Sequence, residues 1–150
     1  MGGRKSWGWE KMSNVLAEFY WPVRVYMEDT DAGGIVYYVN YLKFMERART
    51  EALRSLGFDK NWIFAQESMF VVHSMQVDYK QPARLDDNLR VEAHIMKLRR
   101  TSIIFRQNIE LDGNLLCEAA ITIACVSKDS MKPVAIPDTI YQSLKNLTSQ

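Results

Sequence analysis

The chain has 150 residues, 19 basic and 18 acidic side chains, 47% apolar residues, and only seven glycines and four prolines. That length suits one domain able to bury roughly two-thirds of its unfolded surface. The balanced charge excludes a disordered chain and a global field that would draw it onto nucleic acid or an anionic membrane.

Residues 1–20 open with Arg4 and Lys5 and run into Trp7, Trp9, Glu10 and Lys11, where a secretion signal would carry an apolar stretch. They are expected to form a loosely ordered leader or a short helix ahead of a single domain over residues 21–150. Val23, Val25 and Met27 alternate with Arg24, Tyr26 and Glu28, which predicts a half-buried first strand ending at an acidic loop. The loop runs from Asp29 through Asp31 to Gly33 and Gly34, whose lack of a Cβ permits positive φ and close approach of another group to the backbone.

Between residues 40 and 56, Tyr41, Phe44, Met45, Ala48, Ala52, Leu53 and Leu56 recur at helical spacing. Asn40 is expected to cap this long helix and Gly57 to end it. Arg47, Arg49 and Arg54 are expected on its solvated face, whereas Glu46 falls on or near the apolar stripe, where an unpaired carboxylate is costly. A short helix around Asn61–Phe64 precedes strands over residues 69–80, 88–99, 101–111 and 114–127, with Asp112 and Gly113 as a hairpin turn. The connections are too short for βαβ crossovers, so the sheet should be antiparallel. Residues 137–147 read as a terminal helix. The order of elements predicts an α+β fold, a long amphipathic helix laid on a five-stranded, largely antiparallel sheet.

Cys117 and Cys125, on one strand, would stand about 26 Å apart, so they are expected to be free core thiols, as a reducing cytosol allows. His73 and His94 lack partners at metal-ligand spacing and are expected as sheet histidines, so no metal site is predicted. No apolar run reaches the ~20 residues that cross a bilayer.

The run from Tyr26 to Tyr41, with Asp29-Thr30-Asp31-Ala32-Gly33-Gly34 at its centre, continues into Glu46-Arg47-Ala48-Arg49. Together with Pro82-Ala83-Arg84-Leu85-Asp86-Asp87 and Met131-Lys132-Pro133, it resembles the signature of the 4-hydroxybenzoyl-CoA thioesterase family, within it the YbgC type associated with the Tol-Pal system. The resemblance spans roughly residues 21–140 and implies the hotdog fold and hydrolysis of acyl-CoA to free acid and CoA. It places the catalytic carboxylate at Asp31, as nucleophile or as base for water, and the oxyanion donor at the backbone amide of Tyr38, a position where many YbgC-type members carry His. Physical chemistry agrees in kind: a carboxylate beside a helix start can act on a carbonyl whose developing charge the free amides and helix dipole stabilise. The plainer reading of Asp31 is a turn former beside glycine; Asp29 is assigned to capping or loop hydrogen bonding.

By the same resemblance Gly33 and Gly34 admit the thioester, Phe70, Val71 and Val72 flank the pantetheine arm, and Arg99 and Arg100, with Thr101 and Ser102, meet the nucleotide phosphates. A charged hairpin turn is the alternative for that basic cluster. Glu46 is given a structural role near the site, paired with an arginine. No cofactor is expected beyond the CoA of the substrate. The resemblance further implies a dimer or tetramer with sites between subunits, a cytoplasmic location at the periphery of the inner membrane, and acyl carrier protein or phospholipid-synthesis enzymes as further partners. Two other readings remain open: an acyl-thioester binding or scaffold protein without turnover, and a hotdog dehydratase, which would want a histidine between Asp31 and Tyr41 where none stands.

Overall fold

A computed structural model describes residues 19–148. The expected leader lies outside them up to residue 18, and Tyr20 already belongs to the first strand. The chain runs β1 (Tyr20–Arg24), a single 3-10 turn (Met27–Asp29), α1 (Tyr38–Ser55), α2 (Lys60–Phe64), β2 (Ser68–Tyr79), β3 (Asn88–Glu92), β4 (His94–Leu98), β5 (Ser102–Leu111), β6 (Asn114–Ser127) and α3 (Asp138–Thr148). The sheet is antiparallel in the order β1-β3-β5-β6-β2, and β4 pairs with β5 beyond the end of β3.

The α+β architecture is the expected one; the described residues form six strands where five were expected. The predicted strand over residues 88–99 is broken at Ala93, which is fully buried and donates its N–H to Phe19 O at 3.1 Å, outside the β5 ladder. A second irregularity between Ile95 and Lys97 bends the same edge. Breaks of this kind curl a sheet, which lets it wrap the helix.

The helix meets the sheet through Tyr41, Phe44, Met45, Ala48 and Ala52, buried against Val23, Val25, Leu89, Val91, Ile103, Phe105, Ile109 and Ile121. Each large side chain so enclosed contributes about 2 kcal/mol relative to exposure. At the C-terminal end Gly57 takes φ +97°, its N–H reaches Arg54 O and that of Phe58 reaches Leu53 O, so the expected glycine stop is present as a Schellman closure. Asp59 caps α2 by accepting from Trp62 N–H at 3.0 Å. Asp112 and Gly113 take φ +50° and +85°, the two left-handed positions of a type I′ hairpin. Both cysteines are free and buried, and burial pushes the Cys117 thiol up to about 12.

Three expectations are corrected. The first strand stops at Arg24; Tyr26 and Met27 are exposed, and residues 27–29 coil into the 3-10 turn. Alternation held only to Val25 because Met27 has no core to face. The helix starts at Tyr38, two residues before Asn40, which lies inside it without capping it. Arg49 is not on the solvated face: it is partly buried, and burial lowers its pKa, an effect opposed by the charge of Glu46.

Candidate active site

The loop between the 3-10 turn and α1 closes on itself. Thr30 and Val36 form an antiparallel bridge, Asp31 N–H donates to Ile35 O at 2.9 Å, and Gly34 N–H donates to Asp31 O at 3.0 Å. Gly34 makes this turn with φ +81°, which a side chain would strain. Asp31 is exposed at its tip, its Oδ1 accepting from Gly33 N–H at 2.8 Å. Among the described residues Oδ2 has no hydrogen-bond donor, so the carboxylate is held by one oxygen and presents the other outward.

The return arm is clamped from outside. Val36 N–H donates to Ala83 O at 2.9 Å, Leu85 N–H to Gly34 O at 3.2 Å, and Ile35 bridges to Arg84. The segment 82–87, noticed in the sequence only as part of a pattern, is therefore the wall against which the loop is built. It is fixed in turn by Tyr41, whose buried hydroxyl accepts from Ala83 N–H at 2.9 Å, and by Asp87 Oδ2, which accepts from Arg84 N–H at 2.8 Å.

In the first turn of α1 the Asn40 N–H donates to Tyr37 O at 2.8 Å, whereas the amides of Tyr38 and Val39 have no acceptor among the described residues. Tyr37 supplies no side-chain cap, so the Tyr38 amide is available to an anion beside the helix dipole. The Tyr38 ring is 59% exposed and lies among Tyr37, at 5.0 Å between centroids, and Tyr79, at 6.3 Å and edge-on. From the edge strand β2, the Tyr79 hydroxyl donates to Tyr38 O at 3.3 Å.

Beneath the loop lies Asp29. Only 5% exposed, it accepts from Tyr26 N–H through Oδ2 at 2.9 Å and from Asn40 Nδ2 through Oδ1 at 2.8 Å, and its carbonyl accepts from Tyr37 N–H at 2.9 Å. The capping and loop-bonding role expected of Asp29 is the one it has.

The remaining predicted residues stand apart. Phe70 and Val71 are partly buried and Val72 is exposed on β2, seven to nine residues from Tyr79, which at ~3.3 Å per residue puts them roughly 23–30 Å away along the strand. Arg99, Arg100 and Thr101 form the β4–β5 connection and Ser102 opens β5. There Arg100 is tied to the C-terminal segment, its carbonyl accepting from Ile136 N–H at 2.8 Å and its guanidinium lying 4.7 Å from the Tyr141 ring centre. Glu46 is exposed and makes no ion pair among the described residues, so the expected arginine partner is replaced by a longer-range effect on Arg49. It sits one residue past Met45, rotated off the buried stripe. A surface cavity of about 420 Å³ lies at the opposite end of α1, lined by Arg54, Gly57, Asp59, Lys60 and Asn61, and has no part in the loop's chemistry. Among the described residues no cluster of His, Cys, Asp and Glu could hold a metal ion.

Sequence comparison places this geometry in a family. The family model of the thioesterase superfamily matches residues 33–118, opening inside the glycine loop. This chain belongs to the thioesterase superfamily. It is 48% identical over 128 residues to the acyl-CoA thioester hydrolase YbgC of Escherichia coli, covering 85% of this chain and 96% of that protein. It is 42% identical over 130 residues to the acyl-CoA thioesterase YbgC of Haemophilus influenzae, covering 86% and 96%. Among solved structures, a probable thioesterase from Bartonella henselae superposes with a TM-score of 0.75 at 32% identity, covering 79% of this chain and 98% of that one. A protein from Aquifex aeolicus superposes at 0.79 and 30% identity, covering 85% and 99%. The curled sheet around α1 is thus the hotdog fold of the superfamily's thioesterases.

Proposed function

We propose that this superfamily member hydrolyses acyl-CoA thioesters to a free acid and CoA, with Asp31 as the acting carboxylate and the Tyr38 amide as oxyanion donor. The observation that carries the reading is the closed loop, in which one pairing, Thr30 to Val36, ties the Asp31 carboxylate and the free amides of α1 into one rigid turn. A thioester carbonyl seated on the helix start would meet fixed donors where negative charge develops, the arrangement that lowers acyl-transfer barriers most. Asp31 then either attacks the carbonyl, expelling CoA as its thiolate and leaving a mixed anhydride that water hydrolyses to the free acid, or takes a proton from a water that attacks the carbonyl as the CoA thiolate leaves. Gly33 and Gly34 leave the approach open, and no cofactor is needed beyond the CoA of the substrate.

The scattered residues support a site shared between two copies. β2 is an edge strand with Val72, Met75 and Tyr79 exposed. Antiparallel pairing of two β2 strands about residues 74–75 would set Phe70 of one copy opposite Tyr79 of the other, because 70 and 79 are equidistant from that centre. Phe70, Val71 and Val72 would then flank the partner's site, with Arg99, Arg100, Thr101 and Ser102 left to meet the CoA phosphates. The assembly is a dimer or a tetramer of such dimers, acting in the cytoplasm at the inner membrane, in envelope lipid metabolism linked to the Tol-Pal system. Acyl carrier protein and phospholipid-synthesis enzymes are its further partners, and Glu46 acts near the site only through its charge on Arg49.

A second reading, acyl-thioester binding without turnover, draws on the Asx turn: Asp31 Oδ1 is engaged by Gly33 N–H, as in a loop-forming aspartate. A thiol-release assay across short, long and aromatic acyl-CoAs separates the two. The hydrolytic reading expects release with at least one class; tight binding with no release across the panel would favour the second.

A further inference from the structure

We infer that Asp29 and Asn40 form a positioning pair for the reaction, setting the Asp31 carboxylate and the Tyr38 amide at working distance from one another; the inference rests on the hydrolytic reading above. Asp29 and Asn40 are 5% and 8% exposed, two of the four buried polar or charged residues among those described. Burial of a carboxylate is costly unless its oxygens are bonded, and here each side-chain oxygen has a donor from a different segment, Tyr26 N–H before the 3-10 turn and Asn40 Nδ2 in the first turn of α1. The main chain of Asp29 adds a third link, to Tyr37 N–H. Asparagine is a poor helix former whose use inside a first turn needs a local reason, and the inward bond to Asp29 supplies one.

The placement matters as much as the bonds. Asp29 stands two residues before Asp31, and Asn40 two residues after Tyr38. One 2.8 Å bond therefore spans the base of the loop whose two arms carry the acting groups. The Thr30–Val36 bridge closes the tip on itself, and the Asp29–Asn40 bond fixes how that closed turn sits on the first turn of α1. Neither Asp29 nor Asn40 faces outward to substrate, so neither is a catalytic residue; both act through others.

The test is a reciprocal exchange, read as kcat and KM per folded molecule in the thiol-release assay. Asn40→Asp sets two carboxylates against each other and abolishes the bond. Displacements of about 1 Å can cost 10²-fold in rate, so kcat should fall at least ~30-fold while KM stays within about threefold. Asp29→Asn should lose less, because the Asn40 amide can turn over to accept from the new Nδ2. In the double variant Asp29→Asn with Asn40→Asp, the bond is rebuilt with donor and acceptor exchanged, Tyr26 N–H still finds an oxygen, and kcat should return to within about fivefold of the parent. If Asn40→Asp fails to fold, Asn40→Ala removes the donor without adding charge and should show the same split between kcat and KM. A double variant as slow as Asn40→Asp, or an Asn40→Ala with the parent's kcat and only a lowered Tm, would overturn the inference. A parent chain that releases no thiol would refute the hydrolytic reading and this inference with it; turnover in the parent with no effect of breaking the pair refutes the inference alone.

Discussion

Nη1 of Arg49 donates to Oε1 of Gln107 at 2.8 Å, and Nε2 of the same glutamine donates to the carbonyls of Met45 at 3.0 Å and Glu92 at 3.1 Å. One fully buried amide thus joins α1, β5 and β3. Gln107→Leu would leave the arginine and both carbonyls without their partner, and should cost about 3 kcal/mol in a urea titration. Gln107→Glu keeps an acceptor for Arg49 but presents an oxygen to the two carbonyls, so it too should destabilise. Stability within about 0.5 kcal/mol of the parent in both variants would contradict a bracing role.

The two loop glycines should separate in mutagenesis. Gly34 holds φ +81°, where a Cβ is strained whatever the space, so Gly34→Ala should cost about 1 kcal/mol in thermal unfolding. At Gly33 an added Cβ would sit 3.4 Å from Asp31 Oδ1, an ordinary contact, so Gly33→Ala should unfold within about 0.5 kcal/mol of the parent. The reverse order would mean that the turn is not closed as described.

Alkaline pH should find Cys117. Burial, with smaller contributions from Asp78 and Glu118, raises this thiol from 9.0 to about 12, so the folded chain retains a proton that the unfolded chain releases. Its contribution is fully present below pH 9 and is lost as pH rises from there through 12; at pH 10.5 the loss is about 2 kcal/mol. Tyr41 and Tyr79, both raised by burial, add to the decline above pH 10. Cys117→Ala should flatten the slope between pH 9 and 10.5 in denaturant melts; an unchanged slope would assign the decline to Cys125, whose thiol burial also raises, and to the tyrosines.

Much of the architecture was legible in the sequence because it depends on local rules. The type I′ hairpin at Asp112 and Gly113, the Gly57 stop and the apolar stripe of α1 each follow from residues close in the chain. What was not legible depends on partners distant in sequence. Asn40 resembles a cap when only its neighbours are considered, and becomes an interior residue because Asp29 is beneath it. Arg49 resembles a solvated residue until Gln107, 58 positions away, supplies an acceptor. A signal for that pair existed: Gln107 interrupts the inward alternation of Ile103, Phe105 and Ile109, and a polar residue at a core position implies a partner. The break at Ala93 had no such mark, since alanine fits a continuous strand as well as a bent one. The Asp31 loop was located by its pattern, whereas the clamping segment 82–87 became intelligible only through its backbone bonds.

The most direct measurement is the rate of thiol release by Asp31→Asn beside the parent, with folding followed by circular dichroism. The substitution preserves shape and an acceptor for Gly33 N–H but removes the charge, so turnover should fall by at least ~10³-fold with the melting temperature nearly unchanged, as expected when the acting group is removed. Hydrolysis by the Asp31→Asn chain within tenfold of the parent would contradict the account and leave Asp31 as a turn former.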